Sequence, residues 1–252
     1  MDDYPGAVAA YSLRLLNTDF TGDAITVRRD SDNSVQDIGF VNGILDTTTL
    51  STFCAGANGY VTKWYDQSGN GNDSVQTTAS RQPKIYDVTN GIFEVNGKPS
   101  VDFNATASHL LFDSAVSCET VFSVAKIDSI VTINYLLFNY TLPAQGLTYG
   151  GTVSLVDGLA YFDGGIYSIT GEDTNQHLGY FDNVSNDLNI AKDGEVLTNF
   201  TASQTFQFEG ISRNQGGLEF KGQIQEIVLY SSTQSSNRTG IETNINDFYS
   251  IY

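Results

Sequence analysis

Residues 64 to 72, Trp64-Tyr65-Asp66-Gln67-Ser68-Gly69-Asn70-Gly71-Asn72, join the end of an apolar strand to a tight polar turn, and their reading decides the fold. Upstream, residues 60–65 alternate well enough for a strand with one buried face. Asp66, Ser68, Asn70 and Asn72 then offer short polar side chains to nearby backbone, while Gly69 and Gly71 accept the positive φ of a compact turn. The stretch is a framework element. Trp64, Asp66, Ser68, Gly69, Asn70 and Gly71 are expected to form a structural turn, with Asp66 capping N–H groups rather than serving as an enzymatic acid.

Outward from this turn the chain reads as all-β. Residues 7–16 and 25–29 form early strands, and Asp46 is placed to cap a helical turn over 47–53. From residue 119 short strands follow closely, at 120–127, 133–139, 146–149, 152–156, 159–162, 166–169, 177–181, 188–191, 195–200 and 205–212. Their density, with Gly, Asp and Asn at the turns, predicts two packed antiparallel sheets. Asp193-Gly194 is a type I′ hairpin signal. Residues 220–230 form a long central strand with a bulge near Gln225 or burial on both faces. Ile241, Ile245 and Phe248 recur at helical spacing, with Thr239 and Glu242 in capping-box register, so a short amphipathic helix closes the chain.

At 252 residues with no linker or charge block, one domain over residues 1–252 is expected. Twenty-nine acidic against twelve basic side chains give a net charge of -17, which argues against a nucleic-acid or anionic-membrane partner. No apolar run approaches the length of a membrane span, and the acidic start Met1-Asp2-Asp3 is unlike a signal peptide. Cys54 and Cys118 make no disulfide framework, and the isolated His109 and His177 make no zinc site. No cofactor is expected. Calcium is the one ion the turns leave open, through Asp157 with Asp163 or Asp182 with Asp187, although solvated turn acids are the simpler reading.

Over residues 7–72 the order Ala7-Val8-Ala9-Ala10-Tyr11-Ser12-Leu13-Arg14-Leu15-Leu16, then Thr52-Phe53-Cys54-Ala55, then Tyr65-Asp66-Gln67-Ser68-Gly69-Asn70-Gly71-Asn72 resembles the catalytic-domain family of the fungal α-L-arabinofuranosidase B enzymes. The resemblance implies a concanavalin A-like, laminin-G-type jelly roll: a sandwich of two antiparallel sheets with a short C-terminal helix. It also implies a glutamate nucleophile and an aspartic general acid, which in retaining glycosidases stand about 5 to 5.5 Å apart. The segment similar to the nucleophile strand, residues 147–153, has no acidic residue, and Asn214, within 210–217, stands near the expected acid. Leu136 and Leu137 replace an adjacent cysteine pair at the family's sugar site. Cys54 matches a disulfide cysteine whose partner position holds Gly59. Rival carboxylates are Glu119, Asp157, Asp163, Glu172, Asp173, Glu209, Glu219 and Glu226.

These departures rank catalysis lowest. The expectation is a non-enzymatic relative: a phage structural protein, outward-facing as a capsid decoration, head-fibre or tail-associated subunit. It would be made in the host cytoplasm without a signal peptide and partnered by other virion proteins in a symmetric assembly. Adhesion to a host-surface glycan is compatible with that role, through Tyr149, Tyr161, Tyr167 and Tyr180 near strand ends. The alternative is a glycan-binding or α-L-arabinofuranosidase-like glycoside hydrolase module.

Overall fold

The structure is a computed structural model that describes residues 2–130, 134–139, 145–150, 159–163, 165–169, 173–195, 197–212 and 219–252. The main strands are β1 Ala7–Ser12, β2 Ile25–Arg29, β3 Gly59–Trp64, β4 Val101–Asp102, β5 Leu110–Cys118, β6 Thr120–Ile127, β7 Asn134–Asn139, β8 Gln145–Tyr149, β9 Leu159–Phe162, β10 Gln176–Val184, β11 Asp187–Lys192, β12 Thr198–Thr201, β13 Phe206–Ile211 and β14 Gly222–Tyr230. Two helices, α1 Thr47–Phe53 and α2 Arg238–Tyr249, complete the frame. The expected strand at 152–156 lies outside the described residues.

All ladders among these strands are antiparallel. One layer runs β12–β11–β10–β6–β14–β1, with β4 also on β14. The other runs β9–β8–β7–β13–β5 and continues through the short strand Ser74–Val75 to β3 and β2. The principal core fills the space between them, drawing Val121, Ile227 and Phe181 from the first layer and Leu110, Phe208, Leu137 and Tyr161 from the second. A smaller core lies on the outer face of the first layer, where Phe122, Val124, Tyr180 and Val228 meet Ile241, Ile245 and Tyr249 of α2. The first layer is thus covered on both sides. That is why β14 is buried along nearly its whole length, and the expected bulge is present too, with Val124 opposite Glu226 and Ala125 opposite Ile224, leaving Gln225 between them.

The Trp64-to-Asn72 stretch closes a strand edge. β1 pairs with β14 on one side only, and its other edge is satisfied by side chains of the turn. Asp66 Oδ1 accepts from the N–H groups of Ala10 (2.8 Å) and Ser68 (2.9 Å), and Oδ2 accepts from Asn72 N–H (3.0 Å) and the Ser68 hydroxyl (2.7 Å). Gln67 Nε2 donates to the carbonyls of Ser12 and Arg14, and its Oε1 accepts from Leu16 N–H. Asn70 and Asn72 donate to the carbonyls of Ala7 and Val8. Trp64 has no exposed surface, and Gly69 and Gly71 take φ of 87° and 76°.

Both helices form where the sequence places them, but their caps differ. Asp46 caps α1 as its position predicts, accepting from Thr49 N–H at 3.0 Å. In α2 the Thr239/Glu242 capping box is absent: the helix starts two residues earlier than that box would set it, with Asn237 as N-cap, and Glu242 instead pairs with Arg238 at 2.7 Å. Asp193 and Gly194 both have positive φ, 51° and 73°, as a type I′ turn requires, yet β12 begins only at Thr198.

Candidate carbohydrate site

Three segments that the resemblance places around a sugar are far apart in sequence, and the second layer brings their described parts together. β7 pairs with β8 on one side and β13 on the other, so Leu136 and Leu137, residues 147–150 and residues 210–212 lie on three adjacent strands. Residues 151–153 and 213–217, including Asn214, lie outside the described residues. Leu136 and Leu137 are fully buried, Ser212 N–H donates to the Leu136 carbonyl at 2.9 Å, and the Ser212 hydroxyl donates to the Ser108 carbonyl at 3.0 Å. The strand ends are therefore held in register.

The rival carboxylates separate by position. Glu226 is locked beneath α2: Arg14 binds it through Nε at 2.7 Å and Nη2 at 2.9 Å, and Ser12 and Tyr249 donate to Oε2. Burial opposes the Arg14 charge, but Glu226 outweighs it and holds the guanidinium above its ordinary pKa. Asp163 accepts from Ser203, Gln204 and Gly165 N–H groups, Glu119 from Thr233 N–H, and Glu219 from Ala107 N–H. Asp173 pairs with His177 at 3.0 Å. Asp157 and Glu172 lie outside the described residues.

Glu209 stands apart because it is on β13 itself. Phe206 and Phe208 enter the core between the layers, while Gln207 is exposed and Glu209 half-buried on the opposite side. Across from it, the β5 ladder slips between Leu111 and Val116, so Asp113 falls in the irregular stretch facing Glu209. Nothing in the local sequence separates Glu209 from the other carboxylates, and only the pairing of β13 with β7 singles it out.

Tyr149, Tyr161 and Tyr180 have no exposed surface and present no ring face to a sugar. Tyr149 meets Phe220 and hydrogen-bonds Ser123, Tyr161 meets Phe206 at 4.8 Å, and Tyr180 lies against Phe122. Tyr167 is half-buried between Tyr161 and Phe200. Of the calcium pairs, Asp182 is bound by the Thr120 and Thr233 hydroxyls and Asp187 by Asn199. Among the described residues, no three His, Cys, Asp or Glu side chains are grouped to hold a metal ion.

A family model described as "Alpha-L-arabinofuranosidase B, catalytic" matches residues 3–126. Alpha-L-arabinofuranosidase B of Penicillium canescens is 39% identical over 70 residues, and a probable alpha-L-arabinofuranosidase B of Aspergillus flavus is 42% identical over 72 residues. Each alignment covers 27% of this chain and only 15% and 14% of those relatives. A solved arabinofuranosidase complexed with arabinofuranosyl-α-1,2-xylobiose superposes with a TM-score of 0.72 at 16% identity, covering 95% of this chain and 62% of that one. The fold is accordingly the all-β jelly-roll sandwich expected, with its C-terminal helix. The same matches overturn the expectation of a phage structural relative, together with its virion partners and virion location, because what the chain is similar to is arabinofuranosidases and not virion proteins. They also correct the ranking of catalysis, since the matching model is that of a catalytic domain.

Proposed function

We propose that the chain is a carbohydrate-active module of the arabinofuranosidase type, built as one domain over residues 1–252, whose working region lies where β7, β8 and β13 meet, with the face of β13 that carries Gln207 and Glu209 turned outward. The observation that carries this reading is the meeting of three distant segments on adjacent strands, with Glu209 on the same sheet. Glycoside hydrolysis needs one carboxyl group to protonate the leaving oxygen and a second to attack the anomeric carbon or activate water. Glu209 supplies one from a rigid strand. Asp113, opposite it, is the partner to test.

The assay is release of 4-nitrophenol from 4-nitrophenyl α-L-arabinofuranoside. Glu209→Gln lowers kcat by about 100-fold or more, and Asp113→Asn does the same. Wild-type turnover with full activity in Glu209→Gln removes Glu209 from the chemistry. Absence of both turnover and binding in the wild type removes the reading itself.

A further inference from the structure

A polar cavity of about 400 Å3 lies away from that face, on the outer surface of the first layer. Phe122 and Val124 of β6 pack beneath α2, and Lys126, two residues on, continues the same face. Register places Asp102, Gln223, Lys126 and Gln176 side by side on β4, β14, β6 and β10, a polar row across four strands. The hairpin Glu94–Val95/Lys98–Pro99 forms a wall, turning through Asn96 and Gly97 at φ of 50° and 69°.

Two hydrogen-bonded sets hold the lining residues Asn96, Gln176, Gln223, Lys126 and Asp128 in place, with Gln225, Asn104 and Asp102 behind them. Asn96 Nδ2 donates to Gln176 Oε1 at 2.5 Å, Gln176 Nε2 donates to Gln225 Oε1, and Gln225 Nε2 is held by the carbonyls of Val95, Lys98 and Pro99 at 3.0–3.2 Å. Asn104 Nδ2 donates to Asp102 Oδ1 at 2.7 Å and Asp128 Oδ2 at 2.6 Å, while Lys126 Nζ meets Asp128 Oδ1 at 3.0 Å. Amides oriented by these bonds keep their remaining N–H groups and lone pairs in set directions, and the half-buried Phe93 contributes an apolar wall. The polar lining disfavours a greasy ligand, and Glu94 and Asp128 on a chain of net charge -17 disfavour an anion. A neutral, hydroxyl-rich ligand fits what remains.

We propose that this cavity is an accessory subsite for a neutral glycan, gripping sugar units of a polymer outside the hydrolytic face. The proposal rests on the carbohydrate-active reading for the identity of its ligand. Its first test is NMR of the wild-type protein, titrated with arabinoxylan oligosaccharides while the side-chain amide signals of Asn96, Gln176 and Gln223 are followed. These signals shift saturably if the subsite exists, and their constancy at millimolar sugar overturns it. The second test is retention on insoluble arabinoxylan. Asn96→Gly keeps the positive-φ turn but removes the amide, and with Lys126→Met it weakens retention about five-fold while leaving 4-nitrophenyl α-L-arabinofuranoside hydrolysis within about two-fold of wild type. Unchanged retention in both variants overturns the subsite. Amide shifts without any aryl-glycoside turnover defeat the hydrolase reading alone, and turnover without shifts defeats the subsite alone.

Discussion

Gly59 shows how a single position separates this chain from the family it resembles. A Cβ built on Gly59 falls 2.6 Å from Cys54 Sγ, so the backbone keeps a spacing suited to a bridge although the second thiol is missing. Burial pushes the Cys54 thiol up to about 11, and Cys118 is buried as well, so neither is a ready nucleophile. Gly59→Cys, mildly oxidised, is expected to form the Cys54 bridge and gain about 2 kcal/mol, modest because the closed loop is short. Thiol titration in denaturant then finds Cys118 alone, whereas recovery of every thiol shows that the nearby Tyr86 and Val27 side chains prevent closure.

At the scale of elements, the turn after β3 was the most legible part of the sequence because its contacts depend on local chemistry: short acceptors and flexible glycines in a fixed order. Asp66→Ala leaves the buried N–H groups of Ala10 and Asn72 without their acceptor and is expected to cost about 3 kcal/mol or more in urea unfolding. A loss below about 1 kcal/mol would mean that β1 is held by β14 alone. The α2 helix was legible from its period, but its capping box was not formed, because Arg238 extends the helix and takes Glu242 as its partner. Tyr149, Tyr161 and Tyr180 lie buried instead of at a rim for a related reason. Alternation identifies a strand, but it does not tell which of its faces a second layer or a helix will cover.

For the whole molecule, strand density with Gly, Asp and Asn at the turns pointed to a large antiparallel sandwich, and that level of description was readable from the sequence. The site was not, because it depends on β7, β8 and β13 becoming neighbours, and pairing between distant strands leaves little trace in local sequence. The same limit let the missing family carboxylates weigh toward a virion role, a reading that the similarity to arabinofuranosidases corrects. The most direct measurement is 1H NMR of the protein mixed with arabinofuranosyl-α-1,2-xylobiose. The account predicts that signals of free arabinose grow with time and that the growth is lost in Glu209→Gln. An unchanged sugar spectrum, with no saturation transfer from the protein, would contradict it.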